Sequence, residues 1–253
     1  MIRVTEEIKV KSLYKALQVL ECFTPEKPEL GITEISNELG LYKSNVSNIV
    51  TTFVKAGYLE QNPENNKYRL GFKILKLGNI ISSNLNFRQL VLPCMQEIAD
   101  AANEVVYLGV PHDGEVVYLD SCCPKNQLAT RTMLGVRAPL YCTGIGKAML
   151  AFLPEETVRD VIAKGLKKYT DNTITEPQTL LDELASIRRR GYSVDRMEHE
   201  YGIKCVGMPL MNRRRQVVAG ISISGPSLRF SDAKVEEFAG LLKSAVAQIE
   251  GKL

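Results

Sequence analysis

Residues 30–70 read LGITEISNELGLYKSNVSNIVTTFVKAGYLEQNPENNKYRL, and the spacing of their apolar residues predicts two helices followed by a hairpin. The apolar positions of the first helix are Ile32, Ile35 and Leu39. We expect Thr33 to cap this helix, because its hydroxyl can accept from the free N–H groups of the first turn. Gly40 is expected to end it, since glycine adopts the left-handed conformation without steric cost.

The second predicted helix, over residues 42–56, has one apolar and one polar face. The apolar stripe consists of Val46, Ile49, Val50, Phe53 and Val54. The polar face consists of Lys43, Ser44, Asn45, Ser47, Asn48 and Thr51. No Asp or Glu occurs between Leu41 and Leu59, although acids are frequent on both sides. A helix without carboxylates can approach phosphates without charge repulsion.

A hairpin follows, with expected strands at 58–61 and 67–70 around a turn-forming cluster at 62–66. Two helices joined by a tight turn and followed by a hairpin form a winged helix-turn-helix. Such a module lays its second helix in the major groove of double-stranded DNA. The expected DNA contacts are Tyr42, Lys43, Ser44, Asn45, Ser47, Asn48, Lys67 and Arg69. The three cations are expected to meet phosphates, and the short polar side chains to meet base edges. The alternative is a surface helix pair in another small domain.

Bulk properties limit the protein class. The chain has 253 residues, enough for one large or two smaller domains, and its net charge of +3 excludes a generally cationic surface. Any DNA contact must therefore be local. The six cysteines form no CxxC pair and no zinc-type spacing, so no metal or cofactor is expected. Without a signal peptide or an apolar run near the roughly 20 residues of a membrane span, we expect a cytoplasmic protein.

The remaining chain predicts an α+β architecture. Ser12 is expected to cap a first helix, residues 70–83 to form a linker helix, and residues 84–86 to break it. Expected later helices are 87–102, 144–152, 177–190 and 232–249. Expected strands are 104–110, 115–120, 192–195, 203–211 and 217–224, with 127–136 as a further sheet segment. We therefore predict a DNA-binding domain at 1–70, a linker at 71–85 and a second domain at 86–253.

Motifs in both halves resemble the family of IclR-type transcriptional regulators. In the first half they are residues 32–35 (ITEI), 39–44 (LGLYKS), 57–59 (GYL) and 68–71 (YRLG). In the second half they are residues 138–148 (APLYCTGIGKA), 172–175 (NTIT), 187–192 (IRRRGY), 205–207 (CVG) and 221–226 (ISISGP). The resemblance covers nearly the whole chain, in the right order.

The resemblance implies a winged-helix domain, a linker helix and a GAF-like effector-binding domain. It also implies homodimers or homotetramers that bind palindromic operators of catabolic operons, commonly as repressors, and respond to a small organic or sugar acid. By similarity, the effector contacts are Thr143, Gly144, Ile145, Asp195, Cys205, Ser222 and Ser224. The identity of the acid, the operator sequence, the direction of regulation and the choice between dimer and tetramer stay open.

Chemistry supports part of this effector site. Gly144 opens a predicted helix, where free N–H groups favour a carboxylate. Ser222 and Ser224 alternate with isoleucines, so both hydroxyls face one side of a strand. Leu140 is expected to contribute to an apolar face for the carbon skeleton. For Asp195, the alternative is a strand-end aspartate paired with Arg196.

Other classes of protein fit the residues less well. A hydrolytic enzyme would need His112 or His199, and neither has a nucleophile in a recognisable motif, so no catalytic residue is expected. His112 is expected in an exposed hairpin turn. Glu198, His199 and Cys205 could supply metal ligands, but their spacing fits no regular scheme. Cys122 and Cys123 (a neighbouring pair) could form a redox sensor, and a signalling module that does not bind DNA is the remaining class.

Overall fold

The computed structural model describes residues 8–83, 87–126 and 133–252. The chain separates into two compact units, Met1–Leu85 and Asn86–Leu253. The predicted break at 84–86 and the first part of the sheet segment predicted at 127–136 lie outside the described residues. Within the described ranges, none of the helices is long and apolar enough to cross a membrane.

The first unit is a helix-turn-helix with a two-stranded wing. Its elements are α1 (Lys11–Glu21), α2 (Ile32–Leu39), α3 (Lys43–Ala56), β1 (Leu59–Gln61), β2 (Tyr68–Leu70) and α4 (Phe72–Ser83). β1 and β2 are antiparallel, and Leu30 adds one bridge to Tyr68. The core consists of Val19, Cys22, Leu30, Ile35, Val46, Val50 and Leu59. These apolar residues lie at helical spacing on α1, α2 and α3, which explains why the three helices pack together.

The ends of these helices confirm two predictions and correct two. Gly40 and Gly57 end α2 and α3 in the left-handed conformation, with φ of 64° and 79°. The prediction that Thr33 caps α2 was wrong. Gly31 occupies the cap position, and the Glu34 carboxylate reaches back to accept its N–H at 2.7 Å. The prediction that Ser12 caps α1 was also wrong, because α1 already begins at Lys11.

The second unit is a six-stranded antiparallel sheet with helices on both faces. Its strands, in sheet order, are β5 (Arg137–Pro139), β4 (Glu115–Cys122), β3 (Val105–His112), β8 (Val217–Pro226), β7 (Ile203–Met211) and β6 (Ser193–Arg196). Its helices are α5 (Phe87–Ala102), α6 (Gly144–Leu150), α7 (Glu155–Ala163), α8 (Pro177–Arg190) and α9 (Asp232–Glu250). A short 3-10 helix, Ser227–Arg229, joins β8 to α9.

Two apolar cores cover the two faces of this sheet. α5 and α9 pack on one face with residues such as Val106 and Ile221. α6, α7 and α8 belong to the other core, together with Val116 and Leu140. Because successive strand residues point to opposite faces, the central strands β3, β4 and β8 contribute to both cores. This arrangement confirms the α+β fold.

The hairpin between β3 and β4 is tighter than predicted. His112 is not in the turn but in the last pair of the ladder, opposite Glu115. The turn itself consists of Asp113 and Gly114, with φ of 52° and 84°. Two consecutive residues with positive φ match the right-handed twist of the flanking strands. The His112 side chain is exposed, as expected.

Candidate functional site

The polar face of α3 points to solvent. The exposed side chains include Tyr42 (82% exposed), Lys43, Ser44, Asn45 and Asn48, while Ser47 is half-buried. Val46 and Val50 on the opposite face are completely buried. The buried stripe fixes the orientation of the helix, so the surface without carboxylates is free to meet a partner.

The wing carries two cations that already have acidic neighbours. Lys67 Nζ lies 3.0 Å from Glu34 Oε1, and Arg69 Nη2 lies 3.4 Å from Glu60 Oε2. All four side chains are exposed. Exposed pairs of this kind contribute little to stability because water screens them. Both cations can therefore exchange a carboxylate for a phosphate at little cost.

A cavity of about 390 Å³ lies in the second unit, on the sheet face that α6 covers. The structure brings all seven residues predicted for the effector site to its wall. They are Thr143, Gly144, Ile145, Asp195, Cys205, Ser222 and Ser224. This volume is in the range of small-molecule sites.

Strand register explains why residues so distant in sequence meet here. Asp195 lies opposite Cys205, Cys205 opposite Ser224, and Ser224 opposite Val105. Directly opposed residues point to the same face of a sheet. The four side chains therefore form one row across β6, β7, β8 and β3, and Ser222 belongs to the next row on the same face.

Missing side chains let α6 approach the sheet. A Cβ on Gly207 would lie 2.6 Å from the carbonyl oxygen of Gly144, and a Cβ on Gly144 would lie 2.7 Å from the Cβ of Cys205. Ser193 donates a hydrogen bond to the same Gly144 carbonyl. Thr143 caps α6 by accepting from the Gly146 N–H at 3.1 Å. These contacts fix the helix start against the cavity.

Asp195 is the most perturbed acid in the cavity wall. Its side chain is 3% exposed and accepts the Glu198 N–H at 2.7 Å. Burial is the main cause that raises the pKa of Asp195 to about 7; the hydrogen bond from the Glu198 N–H and the charge of Lys147 oppose the shift, and the Glu198 carboxylate adds to it. Asp195 can therefore carry a proton near neutral pH and donate a hydrogen bond. The alternative pairing with Arg196 is not what holds Asp195, since these residues are neighbours along one strand and point to opposite faces.

Cys205 lies beside Asp195 and donates to Ser224 Oγ at 3.0 Å. Burial raises the pKa of the Cys205 thiol, so it is protonated near neutral pH. A protonated, half-buried thiol acts as a small polarisable wall group rather than as a nucleophile.

The apolar wall differs from the one predicted. Leu140 does not line the cavity, because it is completely buried in the core beneath α6. The apolar wall consists of Val105, Tyr107, Tyr118, Met133, Ile145 and Ile203. Four of these, Val105, Tyr107, Tyr118 and Ile203, are strand residues that point to the cavity face. Strand periodicity shows which residues share a face, but it does not show which face holds the cavity.

Sequence reasoning missed two charged pairs near the cavity. Lys147 is buried on α6 and contacts Glu198, Glu183 and the carbonyl oxygen of Val194. Glu104 and Arg229 both line the cavity and form a two-pronged ion pair. The members of each pair are far apart in sequence, so no local pattern identified them.

Metal ligation finds no support in the described part of the chain, which holds no group of three or more His, Cys, Asp or Glu side chains that could bind an ion. Of the proposed ligands, His199 lines the cavity, whereas Glu198 points to Lys147. Cys122 and Cys123 are half-buried at the end of β4, and the pKa of Cys122 is raised to about 11 by burial. A thiol of this kind lacks the reactivity of a redox sensor.

A winged helix-turn-helix with an outward polar helix, joined to an α/β unit with a cavity, is typical of DNA-binding transcription regulators. Residues 12–63 match the IclR helix-turn-helix domain, and residues 80–251 match the C-terminal domain of IclR bacterial transcriptional regulators. The chain belongs to the IclR family. This assignment places it among regulators rather than enzymes.

The sequence is similar to known regulators over nearly the full length of both chains. The regulator XynR of Escherichia coli is 32% identical over 93% of this chain and 94% of its own. The transcriptional repressor IclR of the same organism is 30% identical over 95% of this chain and 89% of its own. The crystal structure of an IclR homologue from Microbacterium hydrocarbonoxydans, complexed with 4-hydroxybenzoate, superposes with a TM-score of 0.81. It is 25% identical and covers 95% of this chain and 98% of its own.

Proposed function

We propose that this IclR-family regulator represses a catabolic operon, and that a small carboxylate bound in the cavity of the second unit modulates its operator affinity. The observation that carries the DNA-binding part is the outward face of α3, which lacks carboxylates. The relative from Escherichia coli named as a transcriptional repressor supports the direction of regulation. We place the protein in the cytoplasm, where an operator is accessible.

On DNA, α3 enters the major groove and the wing follows the backbone. Lys43, Lys67 and Arg69 bind phosphates. Asn45 and Asn48 are suited to base edges, because an Asn amide can form two hydrogen bonds with adenine. Ser44, Ser47 and Tyr42 complete the contact surface.

The cavity suits a small acid. Its wall offers the hydroxyls of Ser222 and Ser224, which can donate to carboxylate oxygens, whereas the Thr143 hydroxyl already donates to the Pro139 carbonyl oxygen. Asp195 in its protonated form adds a third donor. An organic acid or a sugar acid fits both the volume and these donors. The Microbacterium relative was crystallised with 4-hydroxybenzoate, which is also a carboxylate.

Self-association would place two α3 helices on the two half-sites of a palindromic operator. α4 exposes an apolar set within the first unit, namely Phe72, Leu75, Leu77, Ile80 and Ile81. An exposed apolar helix of this kind is unfavourable in an isolated chain and indicates a buried surface in an assembly. We propose residues 71–85 as the linker of a homodimer, with α4 as its helix, and a homotetramer as the further assembly state.

Ligand and DNA would be coupled through the geometry of the dimer. Half-sites of an operator lie about 34 Å apart per helical turn, so the separation of two α3 helices decides whether both can bind. A ligand that favours one separation shifts the population towards or away from the DNA-binding state. The linker helix is the element through which such a shift would pass.

The test begins with selection of genomic fragments that the purified full chain retains, followed by fluorescence anisotropy on the enriched sequence. We expect a palindromic site and an affinity that falls steeply with salt. A thermal-shift screen of organic and sugar acids then supplies candidates for the same assay. Failure to enrich any duplex would contradict the DNA-binding part. An acid that stabilises the protein without altering DNA affinity would contradict the coupling alone.

A further inference from the structure

Glu104 and Arg229 form a closely matched ion pair at the cavity wall. Arg229 Nε lies 2.5 Å from Glu104 Oε1, and Arg229 Nη2 lies 2.6 Å from Glu104 Oε2. The two residues are 125 positions apart in sequence. Such a two-pronged contact fixes the plane of the guanidinium group.

The two partners differ in exposure. The side chain of Glu104 is 4% exposed, whereas that of Arg229 is 51% exposed. A Cβ on Gly225 would lie 2.1 Å from Glu104 Oε2, so the carboxylate occupies space that a side chain at this position would need. Glu104 is therefore the fixed member. It holds Arg229 in one orientation at the edge of the cavity, where solvent has access.

Arg229 has N–H donors that the ion pair with Glu104 does not use. A guanidinium group has five N–H donors, and the pair uses one on Nε and one on Nη2. Within the described ranges, Nη1 has no hydrogen-bond partner. Because Glu104 is already neutralised, a further anion on Nη1 would not leave a buried carboxylate without its cation.

The polar groups of the cavity lie at different distances from Arg229. Ser222 and Ser224 are on β8, the strand next to β3, and Glu104 holds Arg229 just before β3. Asp195 is on β6, three strands from β3, roughly 14 Å between backbones. The hydroxyls of β8 and the guanidinium of Arg229 can therefore bind two groups of one small molecule. Tyr107 and Ile145 also line the cavity.

We propose that Arg229 binds a second anionic group of the effector, so that the cavity selects small dicarboxylate-like acids over monocarboxylates of equal length. This proposal rests on the proposed function, since it assumes that the cavity binds an acid. Glu104 is the positioning residue, and Arg229 is the specificity-determining one. The family resemblance did not include either residue in its effector set.

The test compares glutarate with valerate, which have equal chain length and differ in one terminal carboxylate. Isothermal titration of the full chain gives both dissociation constants, and their ratio is the readout. We expect wild type to bind glutarate more tightly by about tenfold or more, the effect of one charged hydrogen-bonded contact. Equal affinities for the two acids would overturn the role of Arg229 and leave the acid-binding cavity intact. If neither acid binds, the acid-binding cavity itself is contradicted.

Two variants separate a specificity role from a structural one. Glu104→Gln removes the competing carboxylate, so we expect the preference for glutarate to increase. A purely structural pair predicts lower stability and an unchanged ratio. The double variant Glu104→Gln/Arg229→Gln leaves no buried charge unpaired, and we expect it to lose the preference. Arg137→Gln is the matched control, because Arg137 pairs with Glu115 at 2.8 Å outside the cavity wall. A preference that survives in the folded double variant overturns the proposal.

Discussion

Lys147 Nζ lies 2.6 Å from Glu198 Oε1, and both side chains are almost completely buried. Lys147 also contacts Glu183 at 3.2 Å, and Glu183 in turn pairs with Arg190 at 2.9 Å. Glu198 Oε2 has no hydrogen-bond partner among the described residues. The pair joins α6, which begins at the cavity, to the segment after β6, where the Glu198 N–H binds Asp195. Glu198 therefore connects the buried Lys147 to Asp195 in the cavity wall.

Replacing Lys147 with Met should destabilise the second unit strongly. The variant leaves the buried Glu198 carboxylate without its cation, a change that costs about 3–5 kcal/mol. We expect a large loss in urea midpoint. Lys27→Met is the control, because Lys27 pairs with Glu38 at 3.1 Å on the surface, and we expect a change below about 1 kcal/mol. Adding Glu198→Gln to Lys147→Met should recover part of the loss. Similar midpoints for the two lysine variants would show that the buried pair contributes little.

Asp195 should make stability depend on pH in a defined direction. Its pKa is about 7 in the folded chain against an ordinary 3.8, so between these values the folded state holds a proton that the unfolded state has released. Stability from this group is full below about pH 4 and declines as pH rises towards 7. The decline is at most about 1.4 kcal/mol per pH unit.

Asp195→Asn isolates this effect, because the amide oxygen can still accept the Glu198 N–H. We expect the melting temperature of the variant, relative to wild type, to rise steadily from pH 4 to 7. Glu198, Lys147 and Cys205 face the same group and are retained in both proteins. His199→Gln serves as a second control, since His199 also lines the cavity. A constant difference between Asp195→Asn and wild type across this range would contradict the raised pKa.

Replacing Asn45 with Ala should reduce specificity more than general DNA affinity. Asn45 is exposed on α3, and we propose that its amide reads a base edge. We expect binding to the selected operator to weaken by about tenfold or more, while binding to an unrelated duplex stays nearly constant. Anisotropy at one fixed salt concentration measures both. An equal loss on the two duplexes would show that Asn45 does not read sequence.

Replacing Lys67 with Ala should instead reduce the salt dependence of binding. One phosphate contact fewer lowers the slope of log affinity against log salt by about one. Lys234→Ala is the control, because Lys234 belongs to the second unit and pairs with Glu237 at 2.8 Å, at an exposure similar to that of the Lys67–Glu34 pair. A slope unchanged by Lys67→Ala would remove the wing lysine from the phosphate contacts.

Local patterns predicted the first unit well. Apolar residues at intervals of three and four defined α2 and α3, and Gly40 and Gly57 defined their ends. The error at Thr33 has a physical reason. The Glu34 carboxylate accepts the Gly31 N–H, so Gly31 is the cap and α2 begins at Ile32, one residue before Thr33. A carboxylate three residues after the cap supports a helix start even where the cap residue has no side chain.

The cavity could be predicted only in part. The seven residues given by family resemblance meet at one wall, but Glu104, Arg229 and Lys147 were not anticipated. Their partners lie between 36 and 125 residues away, so sheet register and helix packing, rather than local pattern, bring them together. Leu140 shows the converse error. An apolar residue beside a site motif turned into the core instead of the cavity, and the sequence contains no signal for that choice.

The row of Asp195, Cys205, Ser224 and Val105 draws one residue from each of four neighbouring strands. No fragment of the sheet contains this wall, so a small molecule that fits it binds the folded state and not the unfolded chain. The abundance of such a molecule in a cell would then set how long each copy of the protein escapes proteolysis, in addition to what it does at an operator. The lifetime of the regulator would then increase with the concentration of the metabolite.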